Sequence, residues 1–271
     1  QWYKYVYQPA PMYSADVSVS GGSTGVRYYL SGGALSQEGL RMGSSYKKAF
    51  GRINVDANLA DWAKANVNTQ VSYADTRVSP FGNNNAVGGG LAAMNAPFAS
   101  PYDPNTGLEL ERVPLLDLAT PKHVISTNPA KTNAFILSAN GNLTLTPIKN
   151  LTVRSLVGLE LNYGDSRSRT LPSYYRAYGN GSSERAYSMA SNITITNTAA
   201  YNMSFGEHHL TALLGHEYTN YKDDNFSASG SGILDDRLFL LNNVTQNKSV
   251  GEDTNGYAFL SYFSQLSYDF S

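Results

Sequence analysis

The chain has 271 residues, of which 15% are Asp, Glu, Lys or Arg, with 24 glycines, 20 tyrosines and no cysteine. A net charge of −1 excludes the electrostatic footprint of a nucleic-acid binder or of a peripheral protein held on anionic membranes by a basic surface. The missing cysteine excludes a disulfide framework, a thiolate nucleophile and a Cys-ligated metal, and no apolar run reaches the about 18 residues of a transmembrane helix, although alternating barrel strands escape that test.

In chain order, period-two alternation predicts strands near 13–20 and 24–36, joined tightly at 21–23. The joint reads Gly21-Gly22-Ser23-Thr24-Gly25, which fits the G-x-S-x-G pattern of a hydrolase elbow. That elbow must lead from a strand into a helix, and here alternation resumes at Val26, Tyr28 and Leu30, so the segment is read as a hairpin turn. Strands near 46–58 and 63–77 follow. The second is the cleanest, with Ala63, Ala65, Val67, Thr69, Val71 and Tyr73 on one face and Lys64, Asn66, Asn68, Gln70 and Ser72 on the other.

A long segment, 78–131, then carries seven of the 11 prolines, and its 91–94 stretch is the sole helix candidate in a chain of otherwise negligible helical content. Further strands are predicted near 132–146, 150–168, 185–204, 208–222 and 256–271. Connections sort by length. Those at 21–23, 59–62, 147–149 and 205–207 are tight, whereas 37–45, 78–131, 169–184 and 223–255 are long.

Long strands with one apolar and one small-polar face, tyrosines near strand ends, and alternating short turns and long loops are the signature of an all-β, antiparallel transmembrane β-barrel. A soluble β-sandwich also alternates, but its strands are shorter and its turns do not sort by length. Nine is an odd count, and an open sheet would leave two edges unpaired in lipid. The expectation is therefore a partial barrel domain over 1–271, closed by strands elsewhere in a longer polypeptide. The start at Gln1, without a basic-then-apolar leader, fits a mature product or such a piece.

Other motifs favour plain readings. His216-Glu217 lacks the second histidine of a zinc helix, and His208 and His209 suit a polar turn. Asp103-Pro104-Asn105-Thr106-Gly107 is a turn rather than a calcium loop, because its glycine comes one position early and the distal glutamate is missing. Asp235, Asp236 and Arg237 could be drawn as an acid–base set, but loop charges are the default. No catalytic residue, cofactor or metal is expected.

Specific residues also resemble a known family. Ala15-Asp16-Val17-Ser18-Val19-Ser20-Gly21-Gly22, then Val26-Arg27-Tyr28-Tyr29-Leu30-Ser31-Gly32-Gly33 and Gln37-Glu38-Gly39, resembles a barrel hairpin of the SusC/RagA-type TonB-dependent outer-membrane transporters of Bacteroidetes. Ile53-Asn54-Val55-Asp56-Ala57-Asn58 with Trp62, the Pro147 turn and the Phe205-Gly206-Glu207-His208-His209-Leu210 turn are similar to that family too. The resemblance implies about nine strands of a 22-stranded barrel, the case known for a plugged lumen, with short periplasmic turns and long extracellular loops. It implies import of oligosaccharide or peptide nutrients, a SusD-like surface lipoprotein over the mouth, and TonB coupling through regions that match nothing here. A passive porin and a soluble carbohydrate-binding β protein are the rival readings.

Function is expected in the outward loops. The 78–131 loop carries Phe81, Asn84, Phe98 and Tyr102, and the 169–184 loop carries Tyr174 and Tyr175. Aromatic faces beside amides suit sugar rings, which offer C–H faces and hydroxyl edges. The same aromatics can instead pack each loop onto itself.

Overall fold

In a computed structural model that describes residues 2–79, 99–113 and 118–270, the chain opens with a short helix, Trp2–Val6, and continues into long strands. These are β1 (Met12–Gly22), β2 (Val26–Glu38), β3 (Ser45–Ala60) and β4 (Ala63–Arg77). Two two-residue strands, β5 (Arg112–Val113) and β6 (Leu118–Ala119), and a helix, Pro121–Thr127, come next. Then follow β7 (Ala130–Leu145), β8 (Leu151–Thr170), β9 (Gly181–Phe205), β10 (His208–Ile233) and β11 (Gln246–Phe270).

The nine long strands form one antiparallel sheet in strict sequence order, β1-β2-β3-β4-β7-β8-β9-β10-β11, and β5 pairs only with β6. This is the meander that hairpin-connected strands produce when each pairs with its neighbour. Gly22 shows why the first hairpin is tight: a Cβ there would lie 2.4 Å from the Val26 carbonyl oxygen, so only glycine fits. At the β9–β10 turn Gly206 takes φ +64, the left-handed region that a tight reversal demands. β1 and β11 are the two outer strands, so the sheet is not closed within the described residues.

Register sorts the side chains into two faces, because residues directly opposite in an antiparallel pair project the same way. Val55, Val67 and Gly141 are successive partners on one face, as are Ile53, Thr69 and Ala139. The row Tyr73, Phe135 and Tyr163 crosses the same face further from the short turns. On the other face Asn54, Asn68 and Asn140 align, and Arg52, Gln70, Ser138 and Glu160 form the next row but one toward the long loops.

The apolar face is open rather than packed. Val17 is 74% exposed and Tyr262 77%, with no second layer over them. A wall of this kind must meet something apolar, since exposed contiguous apolar surface of such extent is not tolerated in water. From Ala63 to Tyr73 the apolar stretch of β4 covers roughly 25 Å along a membrane normal at ~3.3 Å per residue and a tilt of about 40°. That matches the hydrocarbon-facing band of an outer-membrane barrel.

The helices differ in place from the sequence reading. The predicted candidate at 91–94 lies outside the described residues, while Trp2–Val6 and Pro121–Thr127 are helical. The second starts where Pro121 presets the backbone angle at the first helical position, and it buries Pro121, Val124 and Thr127. β10 and β11 extend to Ile233 and from Gln246, so the connection expected over 223–255 narrows to 234–245. β9 likewise begins at Gly181, and β8 ends at Thr170.

Candidate functional site

All the buried apolar clusters of the described residues lie at the long-connection end, above the sheet rather than within it. In the first, Trp2 packs on Ala99 and Val113, and its indole N–H donates to the Ala99 carbonyl at 3.0 Å. Tyr5 sets its ring edge against Trp2 at 5.7 Å and against Tyr102 at 6.0 Å. Its hydroxyl donates to the Glu109 carboxylate, and burial together with that carboxylate pushes the phenol well above its ordinary range. The five-residue helix is therefore a clasp holding the 99–113 segment.

The second cluster is built on Pro121–Thr127. Ala119 and Val124 are buried, and Ile125, Tyr174 and Tyr175 pack against them. His123 stacks on Tyr174 at 5.7 Å between centroids and lies 6.1 Å from the Tyr175 ring, and the two tyrosines meet edge to face at 5.2 Å. The Arg112 and Arg176 guanidinium groups sit 5.8 and 5.4 Å from the Tyr175 ring centre, within reach of its negative face. The His123 Nε2 is buried without a hydrogen-bond partner among the described residues.

Burial lowers the His123 pKa from its ordinary 6.5, opposed by the Glu111 carboxylate, and burial raises the Tyr174 phenol. A histidine whose folded-state pKa is depressed keeps its full contribution above 6.5 and loses it as pH falls and the unfolded form takes the proton. Amide exchange in residues 121–127, corrected for intrinsic rate, is therefore expected to be faster at about pH 5.5 than at about pH 7.5. His123→Gln removes that difference; a variant with an undiminished pH effect would assign the titration to another group.

Of the residues singled out from the sequence, Phe81, Asn84 and Phe98 lie outside the described residues. Tyr174 and Tyr175 stand together, whereas Tyr102 belongs to the first cluster, 45% exposed and bridged to Glu109. Sequence reasoning missed Arg176, which adjoins Tyr175, and His123 and Arg112, which reach Tyr175 only because the fold brings the connection after β4 against the one after β8. The one available signal was Pro121, which starts the helix that carries His123.

The plain readings of the other motifs hold where geometry bears on them. Gly21 and Gly22 close the β1–β2 hairpin. Asp103 accepts the backbone N–H groups of Asn105 and Thr106 at 2.7 and 3.0 Å, which makes a turn and lowers its pKa. Asp235 is held at about 2 by the Arg237 side chain and backbone N–H, so it is an ionised loop charge rather than a proton donor. His216 sits on β10 with Nε2 3.1 Å from the Asn197 amide, and His208 lies among Phe205, Tyr268 and Phe270 at the short-turn end.

Below the rim, the polar face mixes amides and hydroxyls with charged side chains such as Arg27, Arg52, Asp56, Lys64, Arg154 and Glu160. Arg52 donates to Gln70 at 2.8 Å, and Thr196 donates to Glu217 at 2.9 Å.

No family model matches the chain. A TonB-dependent receptor from Formosa agariphila is 26% identical over 285 aligned positions, which cover 98% of this chain and 27% of that protein. The RagAB peptide importer in its closed-closed state superposes with a TM-score of 0.87 at 29% identity, over 99% of this chain and 31% of the importer chain. In its open-open state the values are 0.89 and 30%, with the same coverage. A ferric preacinetobactin receptor from Acinetobacter baumannii, at 11% identity and a TM-score of 0.56 over 97% of this chain and 38% of that one, shares the fold alone. The chain thus spans less than a third of the length of the curated receptor and of the importer chains it matches. The resemblance to SusC/RagA-type TonB-dependent transporters read from the sequence is borne out, as is the antiparallel barrel segment.

Proposed function

We propose that this chain forms wall and outer rim of an outer-membrane barrel that imports oligomeric nutrients by TonB coupling. The observation that carries the reading is the superposition of 99% of this chain on 31% of a peptide importer chain, together with a sheet whose apolar face is open over the thickness of a membrane core. In this reading the short turns face the periplasm and the rim clusters face outward. A SusD-like lipoprotein closes over them, and TonB engages parts of the protein beyond these residues. The chain does no covalent chemistry: the apolar face meets lipid, the amide-rich face lines the passage, and the rim meets the solute.

The substrate is a peptide or an oligosaccharide. Tyr174 and Tyr175 are only half-buried and leave part of each ring for either, while Arg112 and Arg176 beside Tyr175 suit peptide carboxylates, in line with the importer this chain matches. The test is uptake of labelled peptides and oligosaccharides by cells that carry the full-length protein or its Tyr174→Ala, Tyr175→Ala variant. We expect energy-dependent uptake of one class, lowered about tenfold in the variant as for loss of a central aromatic contact. Uptake that persists after collapse of the proton-motive force would make the barrel a passive porin.

A further inference from the structure

The register places four cations directly opposite one another. Arg77 pairs with Lys131, Lys131 with Arg167, and Arg167 with Arg185, so one row crosses β4, β7, β8 and β9 on the apolar face. Like charges in direct opposition destabilise a sheet, so such a row calls for an anion. The adjoining row supplies only part of it. Asp75 pairs with Lys131 at 2.5 Å, and Asp165 is shared by Arg167 at 2.7 Å and Arg185 at 3.2 Å. Among the described residues no ion pair involves Arg77, nor Arg169, which lies two positions further along β8 on the same face.

Where the row lies indicates the anion. Moving away from the short turns along this face, the apolar band ends at Tyr73, Phe135 and Tyr163, then comes the Asp75 and Asp165 row, then the cations. Aromatic rings of this kind settle at the boundary between hydrocarbon and head group. Four residues of strand beyond them, at ~3.3 Å per residue, puts the cations about 10 Å higher along the normal, at the depth of lipid head groups. Above the row lies a cleft of about 520 Å³ lined by all five cations and one carboxylate, Glu184. Its other wall includes Phe239 and Leu240, which are 61% and 52% exposed. Cations beside exposed apolar side chains fit an amphiphile that carries phosphate.

We propose that the Arg77–Lys131–Arg167–Arg185 row, with Arg169, binds the phosphate groups of an outer-leaflet lipid on the outside of the barrel. The inference rests on the outer-membrane reading above. Guanidinium forks match phosphate oxygens in pairs, and the bound phosphate relieves the repulsion within the row. Phe239 and Leu240 then lie against the lipid's upper chain segments.

The experiment uses the full-length protein in detergent, with native mass spectrometry of retained lipid A, both bisphosphorylated and enzymatically stripped of phosphate. We expect preferential retention of the phosphorylated form, weakened about fivefold for each cation removed in Arg77→Gln and Arg169→Gln, and largely restored by lysine at both positions. Equal retention of the two lipids by the unaltered protein overturns the proposal without recourse to any variant. Displacement of the lipid by millimolar inorganic phosphate also overturns it, assigning the row to a soluble anion. The underlying orientation is checked separately with Tyr178→Cys, at an 89% exposed position in a stretch that has no other cysteine, labelled on intact cells by an impermeant maleimide and read against the unaltered protein. No labelling would remove the outward orientation and the lipid site with it; labelling without phosphate preference removes the lipid site alone.

Discussion

Val67→Arg is expected to destabilise the full-length barrel in lipid vesicles by about 2–4 kcal/mol, while Asn68→Arg changes stability by no more than about 0.5 kcal/mol. The two positions are neighbours in β4 but point to opposite faces. Val67 lies between Val55 and Gly141 in the middle of the apolar band, where a guanidinium has no water and no partner within the wall. Asn68 lies between Asn54 and Asn140, amides that accept or donate hydrogen bonds to an added cation. Denaturant titration of the reconstituted protein reads both variants. Equal penalties would mean that both faces see the same environment, as in a soluble sheet, and the barrel reading would fall.

Trp2→Ala is expected to release the rim clasp with a local cost of about 3–5 kcal/mol, the range for truncating a buried aromatic. Trp2 is 3% exposed, and its indole fills the space between Ala99 and Val113 while holding the Ala99 carbonyl. Loss of the ring leaves a cavity and an unpaired carbonyl together. Because this cluster sits above the sheet, the effect should appear as faster amide exchange in residues 99–113 with β3, β4 and β7 unchanged. Faster exchange throughout the sheet as well would instead make the clasp part of the barrel's cooperative unit.

The strands were legible because a single-layer wall between lipid and a wet interior enforces period two along its whole membrane-spanning length. Their upper limits were not. β10 continues through Asn225, Ser227 and Ser229 to Ile233, and β11 begins well before its first aromatic residue, because above the membrane neither face must be apolar. The hydrogen-bonded ladder persists there after the hydrophobic pattern has ended. Trp2–Val6 is too short for helical periodicity to register.

By itself, the sequence determined nine strands, their order, which residues share a face within each strand, and the sorting of short and long connections. Those are local properties, fixed by alternation, glycine and proline. The tertiary structure alone decided what meets across strands. Arg77, Lys131, Arg167 and Arg185 are unremarkable charges in four separate segments until ladder register aligns them. His123 reaches Tyr174 and Tyr175 only when the connection after β4 folds against the one after β8. Register is a relation between strands, set by turn geometry and pairing rather than by any one segment, and a slip of a single residue would send a strand's cation to the opposite face and break the row.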